Sequence, residues 1–223
     1  MKKKYLIIIP ARKNSSRLKG KNFLLFNKRP MIDYTFRIVK KINISATTIL
    51  STNDNKIIKL AKKNNIYVPF KRPAKLSGKN VKINSVILHA LKWYNEKFKL
   101  YPENFILLQP TSPLRNANEI KKAIKYYEKI RCSSLVTACE PFQNPKDIVY
   151  FNKRNLVNVI KKNKDFYFVD GSLYICNVRH FLKNKKLIDQ KTKLFPIKKE
   201  HGFDIDNKFD LNLAESYSRF VNN

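Results

Sequence analysis

Residues Ile7–Asn22 read IIIPARKNSSRLKGKN. An apolar run that begins at Tyr5 ends at Pro10. A loop dense in cations follows, with Arg12, Lys13, Arg17, Lys19 and Lys21, and hydroxyls at Ser15 and Ser16. An unbroken apolar run of this length fits a strand covered on both faces, as in a parallel sheet. Such a strand delivers its loop to the carboxyl edge of the sheet, where open α/β folds bind ligands. Cations and small donors at that edge suit a triphosphate. It is not a Walker loop, because GxxxxGK[ST] is absent. The plain alternative is a solvated basic loop, which a chain this basic readily produces.

Outward from this stretch, strand-like and helical patterns alternate over the first 140 residues or so. Pro30 opens a helix to about Lys41, with Met31, Tyr34, Ile38 and Ile42 on one face. Thr47–Ser51 is β-branched and strand-like, and Asp54 suits the cap of a helix running to Asn64. Ile66–Pro69 is a short extended piece. A helix from about Ile83 to Phe98 precedes FILLQP (Phe105–Pro110), a second buried strand. Asn116–Ile130 is helical and Ser134–Ala138 strand-like. This rhythm predicts a parallel sheet with right-handed crossovers.

From Glu140 the rhythm changes. DIVYFNKRNLVNVIKK (Asp147–Lys162) reads as a hairpin with a turn near Asn152–Asn155. FYFVDGSLYICN (Phe166–Asn177) reads as a strand pair or a bent strand around Gly171. FDIDNKFDLNLAESYSRF (Phe203–Phe220) reads as a short strand and then a helix from about Lys208. There is no internal repeat or low-complexity linker.

The chain has 223 residues, 43% hydrophobic, enough to bury a sizeable core as one domain. Its formal charge is +31, from 47 Lys and Arg against 16 Asp and Glu. That balance raises a nucleic-acid binder as the reading from a different functional class. Only ten of the 47 are Arg, the better reader of bases and phosphates, and the lysines are spread along the whole chain. A Lys-rich solvated surface that steers an anionic substrate is the preferred reading, with no nucleic-acid partner. Cys132, Cys139 and Cys176 contain no CxxC, so neither a disulfide framework nor a zinc site is indicated. Met1–Ile9 imitates a signal peptide, but its apolar run is too short and Arg12 follows without a small-residue cleavage site. No stretch approaches a membrane helix, and a soluble cytoplasmic protein is expected.

Two further stretches have the composition of a site. Asp204 and Asp206 form an Asp-x-Asp that an extended backbone would place on one face. Paired carboxylates suit Mg²⁺, which in turn carries phosphate. The alternative is capping of the last helix, for which Asn207 or Asp210 would also serve. LLQPTSPLR (Leu107–Arg115) ends a buried strand in Gln109, a side chain that both donates and accepts. Here the alternative is a rigid turn with Thr111 or Ser112 bonding backbone. His89, His180 and His201 lack ligand spacing and read as surface or core histidines. Trp93 with Tyr94 reads as core or interface.

At this point the motifs become specific. IIPARKNSSRLKGKN, KRPMIDYTF, STNDNKIIKLAKK, VPFKRPAKLS, LLQPTSPLR, DGSLYI and FDIDNKFDLNLAE follow one another from Ile8 to Glu215. In this order they resemble the CMP-sugar synthetases, especially the acylneuraminate cytidylyltransferases. The resemblance implies a Rossmann-like, three-layer α/β nucleotidyltransferase with a mostly parallel sheet. It implies one domain over 1–223, with about 140–176 inserted as a small β-rich dimerisation subdomain. It implies that CTP and a nonulosonic 2-keto sugar acid react to give a CMP-sugar and pyrophosphate, in a homodimer, for surface glycan synthesis.

Residue by residue, the resemblance puts Arg12, Ser15, Lys21, Asn22 and Arg72 at the nucleotide. Lys21 and Arg12 become the catalytic cations, with Lys21 against the leaving pyrophosphate. Gln109 faces the sugar acid, and Asp204 and Asp206 hold Mg²⁺. Lys146 or Lys161 is a candidate for the sugar carboxylate. The chain departs from the family pattern at Lys13–Asn14, at Ser16 with Arg17 as the substitute charge, at Gly78–Lys79, at Ile83–Asn84 and at Asp170. The CMP-Kdo synthetases, which use an eight-carbon acid, resemble the SSRLKGK stretch and are the nearest alternative. A homologue that binds nucleotide without turnover is a third.

Overall fold

The computed structural model describes residues 4–13, 15, 18–143, 149–151, 157–159 and 166–221. The apolar run forms β1 (Tyr5–Ala11). The basic loop and a two-strand ribbon, β2 (Leu25–Phe26) and β3 (Arg29–Pro30), lead into α1 (Met31–Ile42). β4 (Ala46–Thr52) precedes α2 (Asn55–Lys63), where the Asp54 carboxylate accepts from the Lys56 amide at 2.8 Å. α3 (Ile83–Phe98), β5 (Asn104–Leu107), α4 (Ala117–Ile130) and β6 (Ser134–Ala138) continue the alternation. Asn116 caps α4 through the amides of Asn118 and Glu119. β7 (Val149–Phe151) and β8 (Val157–Val159) pair antiparallel as a separate two-stranded sheet. β9 (Tyr174–Asn177), α5 (Val178–Asn184), β10 (Lys193–Pro196) and α6 (Lys208–Val221) follow.

The main sheet has the order β10-β6-β9-β5-β1-β4. Its pairings are parallel except those of β9, which runs against both β5 and β6. Alternation along β1 builds two cores. Tyr5, Ile7, Ile9 and Ala11 pack with Phe36 of α1, Ile57 of α2 and Ile124 of α4. Leu6 and Ile8 pack on the other face with Ile87 and Leu91 of α3 and Phe181 of α5. The chain goes from β1 to β4 on one side and returns to β5 on the other. The strand order therefore reverses at β1, and a crevice opens beyond its carboxyl end.

The expected layers are present. Three differences have local causes. The short strand expected at Phe203–Asp206 joins no sheet; the Ile205 amide donates instead to the Thr111 carbonyl at 2.8 Å. Its neighbour there is the loop after β5, where Pro110 and Pro113 have no amide to continue a ladder. β10 was not anticipated, because KLFP is short and mostly exposed at the sheet edge. α5 was hidden by its length, seven residues entered through the Asn177 cap. The expected turn at Asn152–Asn155 lies outside the described residues.

Candidate active site

Gly20 takes φ +68°, a left-handed conformation that glycine adopts without a Cβ penalty, and opens a tight turn at Lys21–Phe23. The Lys21 amide donates to Leu18 O at 3.1 Å and the Phe23 amide to Gly20 O at 2.8 Å. This turn directs Lys21 and Asn22 inward, and both are buried. Asn22 Nδ2 donates to Arg12 O at 3.0 Å, tying the end of the loop to its beginning. Arg12 Nη1 donates to Gly78 O at 2.8 Å and to Lys79 O at 3.2 Å, fastening the loop to the segment before α3.

Arg72 is anchored at the end of β4. Its amide donates to Thr52 O at 2.8 Å, Nε donates to Ser51 Oγ at 3.0 Å, and Nη2 donates to Ser51 O. Burial, helped by repulsion from Arg12, lowers its pKa to about 10, so it stays cationic at neutral pH. Beyond β5, Arg115 is the clamp. Nη2 donates to Gln109 O at 2.6 Å, Nε to Ser172 O at 2.7 Å and Nη1 to Thr35 Oγ1 at 3.2 Å. Burial lowers its pKa to about 10 as well. Gly171, at φ +73°, sits against Gln109: a Cβ there would lie 3.6 Å from Gln109 Oε1.

The carboxylates meet at this edge. Asp206 Oδ1 accepts from Lys21 Nζ at 2.9 Å. Helix capping is done by its neighbours: Asp210 accepts from the amides of Asp206 and Asn207, and Asn207 accepts from the Asp210 amide at 3.0 Å. The side chains of Asp204 and Asp206 are therefore not needed for the cap. Neither Asp204 Oδ1 nor Thr111 Oγ1, both buried, makes a hydrogen bond of good geometry. Burial pushes the Asp204 carboxyl above its usual range, and the Thr111 hydroxyl and the Lys21 charge do not reverse this. Asp170 is also raised by burial; its Oδ1 accepts from the Ser172 amide at 2.6 Å and from Thr137 Oγ1 at 2.9 Å, while Oδ2 is buried and unpaired.

Among the described residues no three His, Cys, Asp or Glu side chains gather as a ready-made metal cage. Mg²⁺ does not need one. It is commonly held by one or two carboxylates, with phosphate oxygens and water completing its shell. Hard oxygens, one of them buried and unpaired, fit that pattern at Asp204 and Asp206.

A cleft of about 760 Å³ lies at the strand-order reversal, and Arg12, Ser15, Lys21, Asn22, Arg72, Gln109 and Asp206 are in its wall. Of the eight expected site residues only Asp204 is not. The opposite wall is formed by Leu76, Gly78, Lys79, Asn80, Val81, Ile83 and Val86. In the sequence Gly78, Lys79 and Ile83 stand out only as departures from the family pattern. The signal for this wall was Gly78, one of four glycines, set between the RPAKLS motif and α3. Ser16, Arg17, Lys146 and Lys161 lie outside the described residues.

The histidines stay out of the cleft wall. His89 packs edge-on to Phe70 at 4.4 Å between ring centres, and burial lowers its pKa. His180 pairs with Asp189 and His201 with Glu119, each at 2.7 Å. Tyr94 is in the core, and the three cysteines are free.

The cytidylyltransferase family model matches residues 6–220. The chain belongs to the cytidylyltransferase family. It is 28% identical to the N-acylneuraminate cytidylyltransferase of Escherichia coli O18:K1:H7, an alignment covering 96% of this chain and 52% of that protein. It is 27% identical to the pseudaminic acid cytidylyltransferase of Campylobacter jejuni subsp. jejuni, covering 95% of each. The chain thus spans about half the length of the first relative and nearly all of the second. A solved CMP:2-keto-3-deoxy-manno-octonic acid synthetase complexed with CTP superposes with a TM-score of 0.70, covering 98% of this chain and 99% of that one. At 15% identity, that likeness is one of fold.

Proposed function

We propose that this cytidylyltransferase couples CTP to a nonulosonic, sialic-acid-like 2-keto sugar acid, releasing a CMP-sugar and pyrophosphate for surface glycan synthesis. The observation that carries the reading is the cleft, where a family member gathers its cationic loop, Arg72, Gln109 and Asp206 at the strand-order reversal. The named relatives act on acids of this class.

In this reading the anomeric oxygen of the sugar acid bonds to the α-phosphorus as the bond to the β-phosphate's bridging oxygen breaks. Pyrophosphate leaves with that oxygen, and the hydroxyl proton is released. Catalysis of such a transfer is mostly positioning and charge. Lys21 meets the charge that grows on the leaving pyrophosphate. Arg12 and Arg72, held by carbonyls and a hydroxyl, set a positive potential along the phosphate path. Ser15 and Asn22 line that path as donors. Gln109, fixed through its backbone by Arg115, orients the sugar acid. Asp204 and Asp206 would hold Mg²⁺, which when bound would neutralise phosphate charge and polarise the α-phosphate.

We place the protein in the cytoplasm as a homodimer. Among the described residues, no helix is long and apolar enough to cross a membrane. The dimer reading draws support from Phe142, Tyr167 and Phe168, exposed in the segments on either side of the β7–β8 pair, within the proposed insertion at about 140–176.

The test is pyrophosphate release from CTP and Mg²⁺ against a panel of eight- and nine-carbon 2-keto sugar acids. Release with a nine-carbon acid is expected. Release with Kdo alone would move the chain to the eight-carbon branch. Silence across the panel with CTP still bound would point to a homologue without turnover.

A further inference from the structure

The two arginines and the lysine of the cleft are held differently. Arg12 is on the carbonyls of Gly78 and Lys79, and Arg72 is on Ser51. These are neutral scaffold acceptors, so both guanidinium groups are fastened to the walls. Lys21 instead meets a carboxylate, Asp206 Oδ1, at 2.9 Å. Its side chain is only 11% exposed, and the Gly20 turn sets the backbone from which it reaches into the cleft. A divalent cation drawn to the same carboxylate would face that ammonium at close range. The repulsion disfavours both charges there at once unless further anionic groups arrive. A triphosphate supplies them.

We propose that the Lys21 ammonium is a resting counter-ion of Asp206, so that a divalent cation binds the free protein weakly and gains its place only when the phosphates of CTP draw Lys21 away. The proposal rests on the reading of Asp204 and Asp206 as the metal carboxylates and adds a binding order to it. Lys21 is then a coupling residue as well as a phosphate contact. Nucleotide strengthens metal binding, and metal strengthens nucleotide binding by the same factor. The exchange gives each member of the Lys21–Asp206 pair a new partner: Lys21 the phosphate, and Asp206 the metal. Lys21 therefore prevents a nonproductive metal complex in the free enzyme without a separate lid or domain.

The test is binding of Mn²⁺ alone, without nucleotide, followed by the electron paramagnetic resonance of the free ion. The wild type and Lys21→Arg, which keeps the cation, are expected to leave Mn²⁺ largely free. Lys21→Met and Lys21→Gln are expected to bind it roughly tenfold more tightly, a modest gain because Asp206 is partly solvated. Lys21→Met/Asp206→Ala is expected to lose that gain. Equal affinity in the wild type and both neutral variants overturns the proposal, and so does a gain that survives Asp206→Ala. Calorimetry of CTP binding with and without Mn²⁺ separates the two levels. If Asp206→Ala weakens the Mn²⁺-dependent part while the neutral Lys21 variants gain nothing, the metal site stands and the gate falls. If Asp206→Ala leaves that part unchanged, the metal reading falls and takes the gate with it.

Discussion

Gly202→Ala tests how Asp204 and Asp206, the proposed metal carboxylates, are held. Gly202 has an ordinary negative φ of −90°, so the substitution brings no backbone strain. Its cost is steric. A Cβ at this position would lie 2.4 Å from Cys139 Sγ, 2.9 Å from Cys139 Cβ and 3.3 Å from Asp170 Cβ. Normal contact is about 3.5–4.0 Å, so the segment or its neighbours must move by roughly 1 Å. The neighbours are poorly placed to move. Cys139 and Asp170 are fully buried, and the Cys139 backbone is bridged to Phe168 at 3.0 and 2.8 Å. On the other side Ile205 is tied to Thr111. The displacement therefore falls on residues 202–206, which carry Asp204 and Asp206. Overpacking of this kind costs about 2 kcal/mol, which for a domain of this size lowers Tm by roughly 4–8 °C. A shift of about 1 Å at the reacting centre lowers kcat by about 10²-fold. Thermal melts and pyrophosphate release measure the two effects. Cys139→Ala removes the nearest atom, so the double variant should be less destabilised than the sum of the singles. A Tm within 1 °C of wild type with full activity, or strict additivity in the double variant, would refute the reasoning.

Lys21→Ala should lower kcat by about 10²- to 10³-fold while changing the Kd for CTP much less; equal losses in both would remove Lys21 from the leaving-group role. Arg72→Lys cannot keep both bonds to Ser51 and should cost roughly 1–3 kcal/mol of stability while raising the KM for CTP; an unchanged melt would show that the fork is dispensable. Asp170→Asn should change stability with pH in a defined direction. Burial raises the folded-state pKa above the unfolded 3.8, so the folded protein binds more protons in that window and loses stability as pH rises through it. In metal-free protein the variant should out-melt the wild type at pH 8, and the advantage should disappear as the pH approaches 4; a pH-independent difference would contradict this. Light scattering should give about twice the 26.3 kDa chain mass, and a monomeric mass would end the dimer reading.

The layers were legible because their signals are local. Tyr5–Ile9 is apolar without interruption, and Met31, Ile38 and Ile42 repeat at helical spacing, so burial on two faces or one could be read directly. Ile83–Phe98 was placed to the residue. The cationic side of the cleft was legible for the same reason: most of it sits in one loop after one strand. The opposite wall was not. Val81, Ile83 and Val86 look like the start of a core helix, and only the tertiary bonds from Arg12 to Gly78 and Lys79 bring that segment to the loop. Arg115 was read as the end of a motif rather than as its clamp. Its three acceptors, Gln109, Ser172 and Thr35, are distant from one another in sequence and meet only through the order of β5, β9 and α1. That the last helix is capped by Asn207 and Asp210 rather than by Asp204 or Asp206 is visible only in the folded chain, where those two bond reciprocally.

The charge of the chain takes on a different meaning beside this site. A surplus of +31 raises the concentration of any anion near the protein but selects none. Selection needs cations whose positions are fixed before the ligand arrives, and the cleft fixes them with neutral partners: backbone carbonyls and a serine for Arg12 and Arg72. Neutral acceptors hold a guanidinium without cancelling its charge, so the potential along the phosphate path is kept. A carboxylate partner does cancel charge, which makes Lys21–Asp206 the exception among the three and the pair best suited to exchange. Exchange requires that both members find a better partner at the same moment. Of the groups in the proposed reaction, only a metal-bound triphosphate offers a cation to Asp206 and an anion to Lys21 together. The lysines elsewhere bring anions to the surface, while the way these three cations are held determines what can stay.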